Sequence, residues 1–235
     1  MLKTRVIPVV LWDGVNCVQT VKFGRPARIF GSLMDAVRLY EKRNVDELIL
    51  LDIEAKNRSP RIEQVKQFTS ELFCPVTVGG GIKTLDDIRD LLKAGADKVV
   101  IKSAARPEFI EQASRKFGSQ AIVFALDAWD ILSENIIKGV CMDAELAGVG
   151  EIILTSVPNN GTMEGYELPI IEAACNAVNI PIIAHGGCGK PEHMLAAIKA
   201  GAHAVAASTM FLFTETTPRD CTKYLAEHGI RTRTQ

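Results

Sequence analysis

Three groups of residues in this sequence could do chemistry. The first is a single carboxylate, Asp127, which closes the apolar run "AIVFALD" (121–127). Held at a strand end, it could serve as a general acid or base; the alternative is an Asp that caps the following helix. The second is a pair of glycine turns, "GGG" (79–81) and "GG" (186–187), each completed by the end of the next strand at Lys102-Ser103 or Ala207-Ser208. Glycine lets backbone N–H groups approach an anion, and turns that feed helix N-termini cradle phosphate. Tight turns need glycine in any case, but two at symmetric positions point to a ligand with a phosphate at each end. Its contacts are expected at Gly80, Gly81, Lys102, Ser103, Gly186, Gly187, Ala207 and Ser208. The third group is a set of charges that open apolar runs: Arg5, Glu47, Lys98 and Glu151. Directed inward they would form a mutually neutralising ring, because unpaired inward charges are costly. Directed outward they would be ordinary solvated strand starts.

These residues need a framework that repeats. Apolar runs at 5–11, 47–53, 75–80, 98–103, 121–127, 151–156, 180–187 and 204–208 are near-continuously hydrophobic, as parallel strands covered on both faces should be. Amphipathic stretches such as "SLMDAVRLYEKRN" and "TLDDIRDLLKAG" alternate with them, Pro107, Pro191 and Pro218 mark helix starts, and Gly95 and Gly201 mark helix ends. Residues 75–103 lie without a gap on 181–209, sharing the leading Pro, both glycines and "KAGA". The reading is an α/β fold, a (β/α)8 TIM barrel built from two half-barrel repeats, approximately 1–119 and 120–235, in a single domain spanning 1–235. An open doubly wound sheet is the alternative.

Within a barrel, strand parity puts Arg5 with Leu11, Lys98 with Lys102, Glu151 with Thr155, and Asp127 with Val123 and Ala125 on the inner face. Function belongs at the C-terminal strand ends, the top, which leaves the four charges at the bottom. Asp52, near the top but of different parity from Glu47, is given a supporting role. Asp13 in "LWDG" reads as a turn acid. The basic stretch "VKFGRPARIFG" (21–31) reads as a long loop whose Lys22, Arg25 and Arg28 could cover a phosphate or meet a partner.

Composition narrows the function. The chain of 235 residues is 47% hydrophobic and 23% charged with net charge −1, so no charge bias points to nucleic acid or a membrane surface. There is no membrane-length apolar run, and "MLKTRVIPVV" lacks signal-peptide architecture. Six scattered cysteines read as reduced core thiols in a cytoplasmic protein, with a catalytic Cys188 as the functional alternative. No metal or other cofactor is expected.

The stretches "DELILLDI", "VTVGGGI", "GADKV", "FGSQAIVFALDA", "GEIILTS", "GGCGK" and "KAGAHAVAAS" resemble the cyclase subunit of imidazole glycerol phosphate synthase over nearly the full chain. The sister isomerase of the histidine pathway matches less well. The resemblance implies a glutaminase docked on the bottom face, with ammonia passing a charged gate at Arg5, Glu47, Lys98 and Glu151 and crossing the barrel to a bis-phosphorylated substrate. It places partner signalling on Asp97, phosphate binding on the two glycine turns and one catalytic carboxylate on Asp127. It also exposes departures. The family's second catalytic acid ends strand 1, where this chain has Leu11. Lys102 stands for an Asn, Asn160 for an Asp and His185 for a Ser, and an insertion after strand 5 is missing. The changes cluster at the top while the bottom is kept. Diverged copies of this kind are associated with surface-polysaccharide pathways, where a glutaminase–barrel pair supplies ammonia to a separate sugar amidotransferase. The competing expectations are the active cyclase, with Asp127 alone or aided by Asp13, and a module that binds a phosphorylated small-molecule ligand without any glutaminase.

Overall fold

In a computed structural model that describes residues 3–24, 28–55, 58–102, 105–129 and 133–233, the apolar runs become strands. β1 (Arg5–Trp12) is buried from Val6 onward. After it the chain forms β4 (Leu48–Asp52), β5 (Val76–Gly79), β6 (Lys98–Ile101), β7 (Ile122–Ala128), β8 (Glu151–Ser156), β9 (Ile182–His185) and β10 (Ala204–Ala207), with β2 and β3 described below. These eight strands pair in parallel in sequence order, and β10 returns to β1 through Arg5↔Ala204 to Pro8↔Ala207. The result is a closed (β/α)8 barrel; β10 pairing with β1 rules out the open sheet.

The helices are α1 (Leu33–Lys42), α2 (Ile62–Thr69), α3 (Leu85–Lys93), α4 (Pro107–Phe117), α5 (Glu134–Leu146), α6 (Leu168–Ala177), α7 (Pro191–Lys199), the short α8 (Thr209–Phe213) and α9 (Pro218–Glu227). Pro107, Pro191 and Pro218 each occupy a first helical position, where a missing N–H costs nothing. Thr84 caps α3 through a reciprocal pair with Asp87. The outer faces of the strands and the inner faces of the helices form one large core, in which Trp12 meets Phe68 edge-on at 5.9 Å between ring centroids.

A second, smaller cluster fills the barrel itself: Ile7, Val9, Leu11, Ile49, Val100, Val123, Ile153, Ile183, Ala204 and Ala206, with Leu51 and Ala125 against it. The alternation expected from strand parity is therefore real. Positions matched by the sequence repeat also do matching work: Asp97 Oδ2 accepts the Val76 N–H at 2.8 Å, and His203 Nδ1 accepts the Ile182 N–H at 3.3 Å.

One expectation needs correction. The stretch 21–31 is not wholly loop. β2 (Asn16–Gln19) pairs antiparallel with β1, Leu11 opposite Val18, and β3 (Arg28–Ser32) pairs antiparallel with β2, making a hairpin at the top of the barrel. β3 is exposed at all five positions, so it carries none of the alternation that marks a half-buried strand.

Candidate functional site

The bottom of the barrel carries the ring. Arg5 pairs with Glu47 through Nη1, and its Nη2 donates to Glu151 Oε1 at 2.8 Å. Lys98 Nζ reaches Glu47 Oε1 at 3.2 Å and Glu151 Oε2 at 2.9 Å. Thr77 Oγ1 donates a further hydrogen bond to Glu47 at 2.7 Å. All four charges point inward, signs alternate around the ring, and the solvated alternative is excluded. Burial alone would lower the Arg5 pKa, but the charges and hydrogen bonds of Glu47 and Glu151 outweigh it and the pKa rises.

At the opposite end, a cavity of about 460 Å³ opens at the C-terminal strand ends. Leu11, Val100, Ala125 and Ile153 form its floor, and Asp52, Gly79, Gly80, Gly81, Lys102, Asp127, Thr155, Asn160 and His185 line its walls. Asp127 does not cap the next helix, because Ser133 does so. Its carboxylate is in ion-pair contact with Lys102, whose ammonium also lies 5.4 Å from the centroid of the Phe23 ring. Leu11, 6% exposed, is the apolar counterpart on β1. Thr155 Oγ1 and His185 Nδ1 are 3.0 Å apart, and burial pushes the His185 pKa down to about 4, so the imidazole is neutral. Asn160 Oδ1 is buried with no hydrogen-bond partner among the described residues. At Gly81 (φ 76°) an added Cβ would lie 2.7 Å from the Arg58 carbonyl oxygen, which keeps this turn glycine.

Other candidates have structural partners. Asp52 is salt-bridged to Arg61 at 2.9 Å, and Arg61 also reaches the Asp13 carbonyl, so Asp52 supports the wall of the cavity. The Asp13 carboxylate accepts the N–H groups of Val15 (2.9 Å) and Asn16 (2.7 Å), closing a turn outside the cavity lining; this argues against Asp13 as a replacement acid. Asp97 lies at the bottom, at the start of β6. Cys188 is buried and its thiol is pushed up to about 11 by desolvation, opposite to what a nucleophile needs. Gly186, Gly187, Ala207 and Ser208 do not line the cavity, and Ser103 lies outside the described residues. Sequence reasoning missed Gln19 and Phe23, both brought to the top by the hairpin. No helix among the described residues is long and apolar enough to cross a membrane, and no group of three His, Cys, Asp or Glu among them could hold a metal ion.

Fold and geometry thus define a (β/α)8 barrel protein with a cavity of apolar floor and charged or polar walls at the C-terminal strand ends and a ring of alternating charge at the other. The profile of the family described as "Histidine biosynthesis protein" matches residues 5–217. The chain is 40% identical to imidazole glycerol phosphate synthase subunit HisF of Dictyoglomus thermophilum, with 99% of each chain covered. It is 38% identical, over 99% of each chain, both to a Campylobacter jejuni protein provisionally named imidazole glycerol phosphate synthase subunit hisF2 and to the HisF subunit of Thermococcus onnurineus. The chain belongs to the HisF-type family of imidazole glycerol phosphate synthase cyclase subunits.

Proposed function

We propose that this chain is an ammonia-receiving barrel of the HisF type that no longer makes imidazole glycerol phosphate efficiently. A glutaminase docks on the bottom face around the ring and Asp97. Ammonia enters through Arg5, Glu47, Lys98 and Glu151 and crosses the interior lined by Ile7, Val9, Ile49, Val123 and Ile153. An apolar interior suits neutral ammonia, whereas ammonium would lose its hydration at a cost of several kcal/mol. At the top, a phosphorylated small molecule rests its phosphate on the turn at Gly80 and Gly81, next to Lys102. The ammonia leaves for a separate sugar amidotransferase in surface-polysaccharide synthesis, within the cytoplasm.

The observation that carries this reading is Leu11 in the cavity that holds Asp127. Cyclisation by paired acid and base needs two proton-transfer groups, and a leucine transfers none. The remaining carboxylate is in ion-pair contact with Lys102. The second reading, the histidine-pathway cyclase itself, is favoured by the 40% identity to HisF over nearly the whole chain and by the presence of Asp127.

Expression in a histidine auxotroph lacking the cyclase separates the two. No growth is expected without histidine; robust growth would establish the cyclase and end the first reading. The ring has its own test in the reconstituted glutaminase–barrel–amidotransferase system. Arg5→Ala should change output driven by glutamine and leave output driven by added ammonia unchanged. Equal loss with both nitrogen sources would remove the gate.

A further inference from the structure

A cavity of about 570 Å³, the volume of a small-molecule site, lies between the C-terminal end of α1, the start of β1 and one face of α9. Arg43, Arg219, Lys223 and Arg233 line it, with Asp46 and Asp220 as the only carboxylates among its lining residues. Arg43 directly follows α1, and Arg219 and Lys223 stand one turn apart on α9. Both carboxylates have other work. Asp220 Oδ2 accepts the Thr217 N–H at 2.8 Å to cap α9, and Asp46 Oδ2 accepts the Val6 N–H at 3.1 Å. Among the described residues no carboxylate is in ion-pair contact with Arg43, Arg219 or Arg233. Lys223 has only Glu227, one turn along its own helix, at 4.0 Å and at the surface. Arg43 Nη1 is closed off from water and has no hydrogen-bond partner among the described residues, which is costly for a charged donor. The C-terminal end of α1 favours one cation at Arg43 but gives no reason for three more around the same space. Like charges gathered without partners repel one another, and a bound anion removes that cost.

We propose that this cavity is an anion site, separate from the one at the top of the barrel, for a ligand that bears a diphosphate group, free or within a nucleotide. Four cations facing two engaged carboxylates leave an excess of positive charge that suits more than one phosphate. Three of the four are arginines, whose planar guanidinium meets phosphate oxygens in pairs. The bound diphosphate would supply the acceptors that the Arg43 guanidinium lacks. The site backs onto the ring of charges, because Asp46 and Val6, joined by their hydrogen bond, are the chain neighbours of Glu47 and Arg5. The inference does not depend on what the top cavity binds.

The test is calorimetric titration of the full-length protein with pyrophosphate and with inorganic phosphate, in a Lys102→Gln background that removes the cation of the top cavity. Pyrophosphate should bind this background about tenfold or more tighter than phosphate does. Adding Arg43→Gln or Arg219→Gln should weaken pyrophosphate about tenfold or more, and adding Lys199→Gln, on α7 outside the cavity lining, should change it by less than about threefold. Arg219 is exposed, so its replacement tests the charge even where Arg43→Gln fails to fold. ADP is titrated alongside. Tighter binding than pyrophosphate marks a nucleotide as the source of the diphosphate, and weaker binding marks the free ion. No pyrophosphate binding in the Lys102→Gln background overturns the proposal, as does phosphate binding as tightly as pyrophosphate. So does an Arg219→Gln effect no larger than that of Lys199→Gln, which would mean that any surface cation serves.

Discussion

Glu47→Ala should destabilise the protein by about 3–5 kcal/mol, the cost of removing one partner from a buried ion pair. The Glu47 side chain is 3% exposed and accepts from Arg5, Lys98 and Thr77 at once. Without it, two cations share Glu151 alone and Thr77 loses its acceptor. Water reaches Arg5 and Lys98 in part, 23% and 18% exposed, which puts the expected loss toward the lower end. Glu71→Ala is the control. It breaks the Arg38 pair at the surface, where water screens both charges, and should cost far less than Glu47→Ala. Urea unfolding at neutral pH measures both, and equal losses would mean that the ring contributes no more than a surface pair.

The second large effect is on pH dependence. His185 has a folded-state pKa near 4, against an ordinary value near 6.5, because burial penalises the imidazolium. Below pH 6.5 the unfolded chain takes up a proton that the folded chain refuses. The contribution is therefore fully present above pH 6.5 and lost as pH falls toward 4, about 3 kcal/mol in all. Carboxylates titrate over the same window, so the readout is a difference. The stability gap between wild type and His185→Gln should change with pH between 4.5 and 7, the variant losing less on acidification. Parallel curves would show that His185 is not held neutral by its surroundings. A neutral imidazole beside Thr155 offers the cavity a hydrogen-bonding ring without adding a charge to that held by Lys102 and Asp127.

Much of this was legible in the sequence for a physical reason. Continuous apolar runs, proline at helix starts and the overlay of 75–103 on 181–209 all report the same parallel barrel. Inner-face parity followed from a two-residue period, which is why Arg5, Glu47, Lys98 and Glu151 could be placed together despite lying far apart in the chain. The hairpin escaped because β3 is fully exposed, and its glycine, proline and basic residues match a loop by composition. Gln19 escaped for a different reason. A polar residue on a short strand carries no local signal of its partners, and Ser208 and Thr209 are contributed from the other end of the sequence.

The β1–β10 seam joins the two ends of the chain: Arg5 faces Ala204, and Thr4 bridges Thr232 beyond it. A nascent chain leaving the ribosome cannot make that seam until nearly its last helix has emerged. Contacts this distant in sequence form late, since loop closure must come before the contacts that reward it. Arg5 belongs to the first strand synthesised and Glu151 lies across the barrel from it, so their contact waits for the same closing event. The ring of charges is thus completed only when β10 closes the barrel, and a truncated product lacking β10 would display an unfinished bottom face.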